Sequence, residues 1–166
     1  MFIREARPED AENLLKLIKQ VEAESDFMLM DAGERKTSPE QQRKRLEQMR
    51  SENNSAILVA EQEDGKLAGY LIAIGGSVKR NRHTAYLVIG VLKKYRGRGI
   101  GTKLFQRVEE WALTHKISRL ELTVVTENLA GVTLYKKRGF EIEGTKRNSL
   151  FIHGKYFDEY YMSRIL

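Results

Sequence analysis

The spacing of apolar residues changes several times along the chain, and each spacing predicts a helix or a strand. The clearest helix covers residues 9–24, where Ala11, Leu14 and Ile18 recur at helical spacing. Three further helices are predicted at residues 38–52, 99–115 and 129–138. Short apolar stretches predict seven strands, at residues 2–4, 56–61, 67–74, 83–91, 119–125, 140–145 and 156–165.

Turn residues predict how these elements connect. Ser38, followed by Pro39 and Gln41, has the sequence of a capping box and begins the second helix. The Asp64-Gly65 pair predicts a hairpin, so the three strands between residues 56 and 91 should form an antiparallel meander. A helix separates the fourth strand from the fifth, which predicts that these two strands are parallel.

Composition limits the class of protein. At 166 residues, of which 41% are hydrophobic, the chain predicts a single domain over residues 1–166 with a substantial core. No apolar run reaches the roughly 20 residues of a membrane helix, and the N-terminus lacks the core of a signal peptide. We therefore expect a cytoplasmic protein that does not bind membranes.

Charge and metal-binding residue types narrow the choice of ligand. The net charge of +6 fits an anionic ligand. A nucleic-acid partner would require a cationic face, but the 29 Lys and Arg residues are interleaved with 23 Asp and Glu residues. The chain has no cysteine, and its three histidines are scattered, so we expect no nucleic-acid partner and no metal site.

A glycine-rich, cationic segment lies between the predicted strand at 83–91 and the next helix. A strand, a glycine turn and a helix N-terminus together form an anion-binding cradle, most often for phosphate. The spacing fits neither the Rossmann fingerprint nor the nucleotide-hydrolase phosphate loop. The pattern that does fit is Arg96-x-x-Gly99-x-Gly101.

This pattern resembles the pyrophosphate-binding signature of the GCN5-related N-acetyltransferases. A second family signature is matched by Asn128-x-x-Gly131-x-x-Leu134-Tyr135-x-x-x-Gly139-Phe140, with Gly131 where alanine is usual. The C-terminal sequence from Gly154 to Met162 is similar to that of the subgroup acting on small amines and amino acids. The resemblance implies an α/β (α+β) acyl-CoA N-acyltransferase fold, with a mixed, mostly antiparallel sheet of about seven strands flanked by about four helices.

The resemblance also implies that acetyl-CoA is the cosubstrate and which residues bind it. The pyrophosphate would bind the cradle formed by Arg96, Gly97, Arg98, Gly99, Ile100, Gly101 and Thr102. The pantetheine amides would pair with the strand at Ile89, Gly90 and Val91, and Asn128 would hold the same arm. Tyr135 occupies the family's general-acid position, and its phenol is protonated at neutral pH when unperturbed.

The acceptor, the base and the oligomeric state stay open. The apolar segment after residue 24 suggests an acceptor-pocket wall, with Phe27, Met28, Glu34 and His83 as candidate substrate-binding residues. The proton acceptor is either His83 or a water molecule. The substrate carboxylate could bind Arg35, Lys36 or Arg147, whereas an ammonium could bind Glu24, Asp26, Asp31, Glu34 or Asp158.

Several functions therefore fit the acceptor side. A small amine or amino acid is favoured, by direct attack on acetyl-CoA. A protein N-terminus, a polyamine and a non-catalytic acyl-CoA-binding module are the alternatives. A homodimer through the C-terminal strands is possible by the same resemblance.

Overall fold

The computed structural model describes residues 1–166 as one seven-stranded sheet with four α-helices. The strands are β1 (Phe2–Glu5), β2 (Ala56–Glu61), β3 (Leu67–Gly75), β4 (Thr84–Val91), β5 (Arg119–Val125), β6 (Glu141–Ile152) and β7 (Lys155–Ile165). The helices are α1 (Ala11–Glu24), α2 (Pro39–Ser51), α3 (Ile100–Thr114) and α4 (Leu129–Lys137). The predicted element order is confirmed. None of the helices has the length and hydrophobicity that a bilayer crossing requires.

The sheet has the order β1-β2-β3-β4-β5-β7-β6, and only β4 and β5 run parallel. All the other neighbours are antiparallel, as the predicted meander and the predicted mixed sheet require. Short connections favour antiparallel neighbours, whereas the α3 crossover places β5 parallel to β4.

The parallel pair separates soon after it begins. Only Thr84, Ala85 and Tyr86 of β4 pair with β5, opposite residues 119–121, and beyond them the strands diverge. The Tyr86 hydroxyl and the Thr123 hydroxyl form a 2.7 Å hydrogen bond across the start of this gap. The gap divides the sheet into an N-terminal arm (β1–β4) and a C-terminal arm (β5–β7).

Each face of the sheet has its own core. On one face α3 packs against the centre of the sheet through Leu104, Phe105 and Val108, which are fully buried. On the opposite face α1 and α2 cover the N-terminal arm through Leu14, Val21, Leu46 and their neighbours. Burial of such side chains contributes roughly 1.5–3 kcal/mol each. We call these the α3 face and the α1 face.

Two element boundaries differ from the prediction. The first helix begins with a separate 3-10 turn over Pro8–Asp10, because Asp10 accepts hydrogen bonds from Arg4 and from the backbone of Arg7. Strands β6 and β7 form a hairpin of 12 and 11 residues, longer than predicted at its turn end.

The extension of this hairpin depends on unusual backbone conformations. His153 and Gly154 form its two-residue turn with φ values of 49° and 77°, and paired positive φ values suit the twist of a hairpin. Asn148 also has a positive φ, within an irregular stretch between Lys146 and Leu150, and its N–H donates to Asp158 Oδ1. Because this irregular stretch is polar, its sequence did not predict that the strand continues through it.

Candidate active site

A cavity of about 530 Å³ occupies the gap between the two arms of the sheet. Its walls come from α1, the segment between α1 and α2, α2, β3, β4, β5, α4 and the β6–β7 hairpin. Most of the lining is apolar, with a few polar and charged groups. This size and composition are typical of sites for small ligands.

The coenzyme loop, residues 92–99, lies beside this cavity on the protein surface. Gly97 and Gly99 have φ values of +75° and +78°, and no atom approaches the position of a Cβ on either. Left-handed backbone, and not lack of space, therefore requires glycine at both positions. Gly99 is the N-cap of α3, so the free N–H groups of the first turn and the helix dipole face the loop.

Exposed cations surround these amides. Arg96 and Arg98 are both exposed, and the Arg96 Nε donates a 3.3 Å hydrogen bond to the Val91 carbonyl. Glu24 also belongs to this region, because its carboxylate accepts the Lys93 N–H at 2.9 Å. That hydrogen bond lowers the pKa of Glu24, which supports the coenzyme loop and does not line the cavity.

Gly101 has a different role from the two loop glycines. A Cβ at Gly101 would lie 2.8 Å from Cδ2 of Leu134. Glycine therefore lets the first turn of α3 approach α4 closely. This approach brings the coenzyme loop next to the helix that carries Asn128 and Tyr135. Residues 96–102, at the end of the loop and the start of α3, stay outside the cavity, whereas Ile89, Asn128 and Tyr135 line it.

Asn128 begins α4 and faces the cavity. Its Oδ1 accepts the Gly131 N–H at 3.1 Å, which caps the helix. The amide NH₂ of Asn128 is left to donate to a ligand. Gly131 fits this cap, because a Cβ there would lie 2.8 Å from Nδ2 of Asn128.

Tyr135 reaches the cavity from the α3 face. Its ring packs between Phe105 and Phe140, with centroids 5.6 and 6.3 Å away. The side chain lines the cavity and no protein group hydrogen-bonds its hydroxyl. Burial, with a smaller effect of Tyr86, raises the pKa of Tyr135 to about 12. The phenol is therefore a protonated donor at any physiological pH.

The α1 face closes the cavity on the opposite side. Phe27, Met28, Leu29 and Met30 of the α1–α2 segment line it, as predicted for Phe27 and Met28. The Phe27 ring meets the edge of Phe157 of β7, with centroids 6.2 Å apart. The α1–α2 segment thus bridges the two arms above the gap.

Other predicted acceptor residues are not brought to the cavity. His83 is exposed at the start of β4, and three paired residues separate it from the gap. Glu34 is exposed and accepts the Asp31 N–H at 2.9 Å. Lys36 is exposed and donates to the Gly33 carbonyl. The remaining residues proposed for the acceptor's charges, apart from Arg35, also lie outside the cavity lining: Asp26, Asp31, Arg147 and Asp158.

Glu159 was not foreseen from the sequence. It lies opposite Val125 in the β5–β7 pairing, so the two side chains share a face. Glu159 lines the cavity and its carboxylate accepts a 2.5 Å hydrogen bond from the Ser149 hydroxyl. It forms no ion pair, although Lys146 lies opposite it in the β6–β7 pairing and lines the same cavity. Phe157, Glu159 and Tyr161 alternate along β7 with period two. This alternation could have indicated that Glu159 lies on the same face of the sheet as the two aromatic residues.

Four further polar residues line the cavity, and three of them were missed. Glu22, Gln42 and Tyr70 were assigned no role from the sequence, whereas Arg35 was predicted as one possible partner of a substrate carboxylate. All four line the cavity on the α1 face. Arg35 is also paired with Glu22. No cluster of three or more metal-ligating side chains is present.

Comparisons with known proteins agree with this geometry. The family model for the acetyltransferase (GNAT) family matches residues 19–140. The L-amino acid N-acetyltransferase AaaT of Escherichia coli K12 is 35% identical over 106 residues, which are 61% of this chain and 64% of that protein. The chain thus spans less than two thirds of this curated relative.

Two solved structures are similar over essentially the whole chain. The acetyltransferase of the GNAT family from Streptococcus pneumoniae is 36% identical with a TM-score of 0.95, covering 99% of both chains. A ribosomal-protein-alanine N-acetyltransferase from Brucella melitensis is 28% identical with a TM-score of 0.85, covering 100% of both. The glycine loop, the divided sheet and the matched family model lead to one conclusion: the chain belongs to the acetyltransferase (GNAT) family.

Proposed function

We propose that the protein transfers an acetyl group from acetyl-CoA to the primary amine of a small molecule, with a free amino acid as the first choice. One observation carries the proposal. The cavity in the gap has the Tyr135 phenol on one side and, on the other, a largely apolar chamber that contains the unpaired carboxylate Glu159. A candidate general acid and a group able to bind an amine thus line the same cavity.

The coenzyme would bind from the surface loop inwards. Its pyrophosphate would accept hydrogen bonds from the amides of residues 97–102, with Arg96 and Arg98 adding positive charge. The pantetheine arm would then follow the unpaired edge of β4 at residues 89–91, beside Asn128. This route ends at the cavity, where Ile89 and Tyr135 are both lining residues.

The chemical step needs a neutral amine and a proton for the leaving thiolate. The amine nitrogen attacks the thioester carbon, a C–N bond forms, and the C–S bond breaks as the tetrahedral intermediate collapses. Glu159 takes the proton that the amine loses, directly or through water, and Tyr135 gives its proton to the CoA thiolate. Both residues return to their starting states by proton exchange with solvent.

The enclosure of the chamber favours a small acceptor. The contact between Phe27 and Phe157 bridges the arms over the gap, so a folded protein would have to displace the α1–α2 segment to present its terminus. The similarity to an L-amino acid N-acetyltransferase supports the same choice. A ribosomal-protein N-terminus and a polyamine stay as outcomes for the test to reveal.

The test is an acceptor panel with acetyl-CoA and release of free thiol as the readout. The panel holds free amino acids, polyamines and a peptide with an alanine N-terminus, each with wild type and Glu159→Gln. We expect turnover with free amino acids, and a loss of roughly 10²-fold or more in kcat for Glu159→Gln. Glu141→Gln, an exposed glutamate on the neighbouring strand, is the matched control. Turnover confined to the peptide, or full activity of Glu159→Gln, would contradict the proposal.

A further inference from the structure

Four polar residues form one wall of the cavity on the α1 face, and we call this set the polar wall: Glu22, Arg35, Gln42 and Tyr70. They come from α1, the α1–α2 segment, α2 and β3. Glu22 and Gln42 are each 4% exposed and Tyr70 is 1% exposed, yet all of them line the cavity. Residues so deeply buried are usually apolar, so the wall requires a reason.

The charged pair within the wall is already satisfied. Arg35 donates from Nε and Nη2 to the Glu22 carboxylate at 2.8–3.1 Å. This pairing neutralises the carboxylate and fixes the guanidinium plane. The Nη1 group of Arg35 has no acceptor in the protein, and Arg35 lines the cavity, so this group is available as a donor.

The other two members have no hydrogen-bond partner in the protein. Neither the Gln42 side-chain amide nor the Tyr70 hydroxyl bonds to another residue, and neither is among the polar atoms sealed from solvent. Buried polar groups are normally hydrogen-bonded. Groups that are buried, unpaired by the protein and open to a cavity are suited to bind a ligand. Burial and the Glu22 charge also raise the pKa of Tyr70, which keeps its O–H as a donor.

The Tyr70 ring points towards the reaction centre. Tyr70 of β3 pairs with Gly90 of β4, and a Cβ on Gly90 would lie 2.7 Å from Cε1 of the ring. The ring therefore crosses over β4, in the direction of the gap where β4 and β5 separate. Only glycine at position 90 leaves room for it.

We propose that the polar wall binds the carboxylate of the acceptor, which makes the substrate an amino acid and not a simple amine; this inference rests on the proposed function. The groups free to bind are mainly donors: Arg35 Nη1, the Gln42 NH₂ and the Tyr70 O–H. Arg45, exposed on α2, lines the same cavity. Two cations against the one carboxylate of Glu22 give this end a positive balance, which suits an anionic group.

The experiment compares acceptors that differ only in the carboxylate. Each amino acid that is turned over is tested beside its carboxamide and its decarboxylated amine, and kcat and KM are measured separately. In wild type we expect the amino acid to be preferred by roughly tenfold or more in kcat/KM. Gln42→Met and Tyr70→Phe should each raise KM for the amino acid by roughly tenfold. KM for the decarboxylated amine should stay within about twofold.

Two conservative variants serve as controls on the same types of residue. Gln48→Met is exposed on the same helix, and Tyr156→Phe is exposed on β7; both should leave the preference unchanged. Equal losses on all three acceptors would mean that the wall is structural. An unchanged preference in both Gln42→Met and Tyr70→Phe would also overturn the inference.

A binding measurement separates this inference from the proposed function. Calorimetry follows the amino acid and the decarboxylated amine binding to the protein saturated with CoA. Carboxylate-dependent binding that Gln42→Met weakens, without any turnover, would refute the proposed function and leave the inference standing. Turnover of amines with no preference for a carboxylate would refute the inference and leave the proposed function standing.

Discussion

The two ends of the cavity are built from different parts of the polypeptide. At the proposed coenzyme end the candidate binding groups are backbone amides of consecutive residues, held by the left-handed Gly97 and Gly99 and exposed to solvent. At the proposed acceptor end they are side chains from separate elements, such as Glu22, Gln42 and Glu159, most of them buried.

This difference sets what each end can change. A backbone cradle depends on φ angles and helix position, so side chains around it can vary while the ligand stays the same. An acceptor site made of buried side chains changes its ligand with a single substitution, but each substitution also disturbs the core. With this arrangement, substitutions can change which acceptor is bound while the same coenzyme is retained.

Tyr135 stands where the two ends meet, and its removal should have the largest effect. We expect Tyr135→Phe to lower kcat by roughly 10²-fold or more, since the thiolate loses its proton donor. KM for acetyl-CoA should change little, because the proposed proton transfer goes to the thiolate, which forms only after the coenzyme has bound. With the pKa of Tyr135 near 12, its ionisation should not reduce the wild-type rate up to about pH 10. Steady-state kinetics across pH measure both quantities, and a wild-type kcat in the variant would rule out the acid role.

Gly90→Ala should disturb the proposed acceptor end, because Gly90 of β4 lies directly beneath the Tyr70 ring. The new methyl group would meet the Tyr70 ring at 2.7 Å and Val21 at 2.8 Å. Such overpacking costs about 1–3 kcal/mol of unfolding free energy, or roughly 3–10 °C in Tm for a domain of this size. Thermal melting with Gly144→Ala as control measures it, because Gly144 has open space around it. Equal melting temperatures for the two variants would show that Tyr70 can move aside at no cost.

Gly99→Ala tests the coenzyme end by strain alone. The left-handed backbone at Gly99 should cost about 1–2 kcal/mol when it carries a side chain. Gly154→Ala is a matched control, since its φ of +77° and its open surroundings are the same but it lies in the β6–β7 turn. Both variants should lose similar stability, and only Gly99→Ala should weaken acetyl-CoA binding in calorimetry. Equal affinities would place the pyrophosphate elsewhere.

Glu143 lies outside both ends of the cavity and serves as a reference. Its substitution should have the smallest effect, and only on the free energy of unfolding. Hydrogen bonds from Arg119, and then from Ser163, lower the pKa of Glu143 to about 2. A depressed carboxyl pKa stabilises the fold above the unfolded value near 4.3, and this stability is lost as pH falls towards 2. Because the pair is largely exposed, Glu143→Gln should cost at most about 1 kcal/mol at pH 7. Denaturant unfolding at pH 7 and pH 2 checks whether the difference disappears in acid.

The fold and the conformation of the glycine loop were predictable because their signals are local. Helical spacing, the Ser38 cap and the glycines of the coenzyme loop each act within a few residues, so the sequence shows them directly. The boundaries that were wrong depend on distant partners, such as Arg4 reaching Asp10 and Asn148 donating to Asp158.

Apart from Phe27, Met28 and Arg35, the residues of the proposed acceptor end were not predictable, for the same physical reason. Glu22 and Tyr70 occupy ordinary positions in a helix and a strand, and only tertiary packing turns them towards one cavity. His83 was misplaced because the gap begins after Tyr86, a point fixed by the pairing with β5. Strand spacing alone gives no measure of where two parallel strands part.

The early separation of β4 from β5 has a consequence for how fast backbone protons exchange with water. Beyond Tyr86, the edge of β4 that faces β5 has no strand partner, while its other edge is bonded to β3 up to Val91. Amide protons that point into the gap are thus held by no ladder hydrogen bond, although they lie in the middle of a sheet. Isotope labelling would find a seam of rapid exchange at the centre of an otherwise slow sheet. A ligand that fills the gap would complete the sheet, and the same protons would then become slow to exchange.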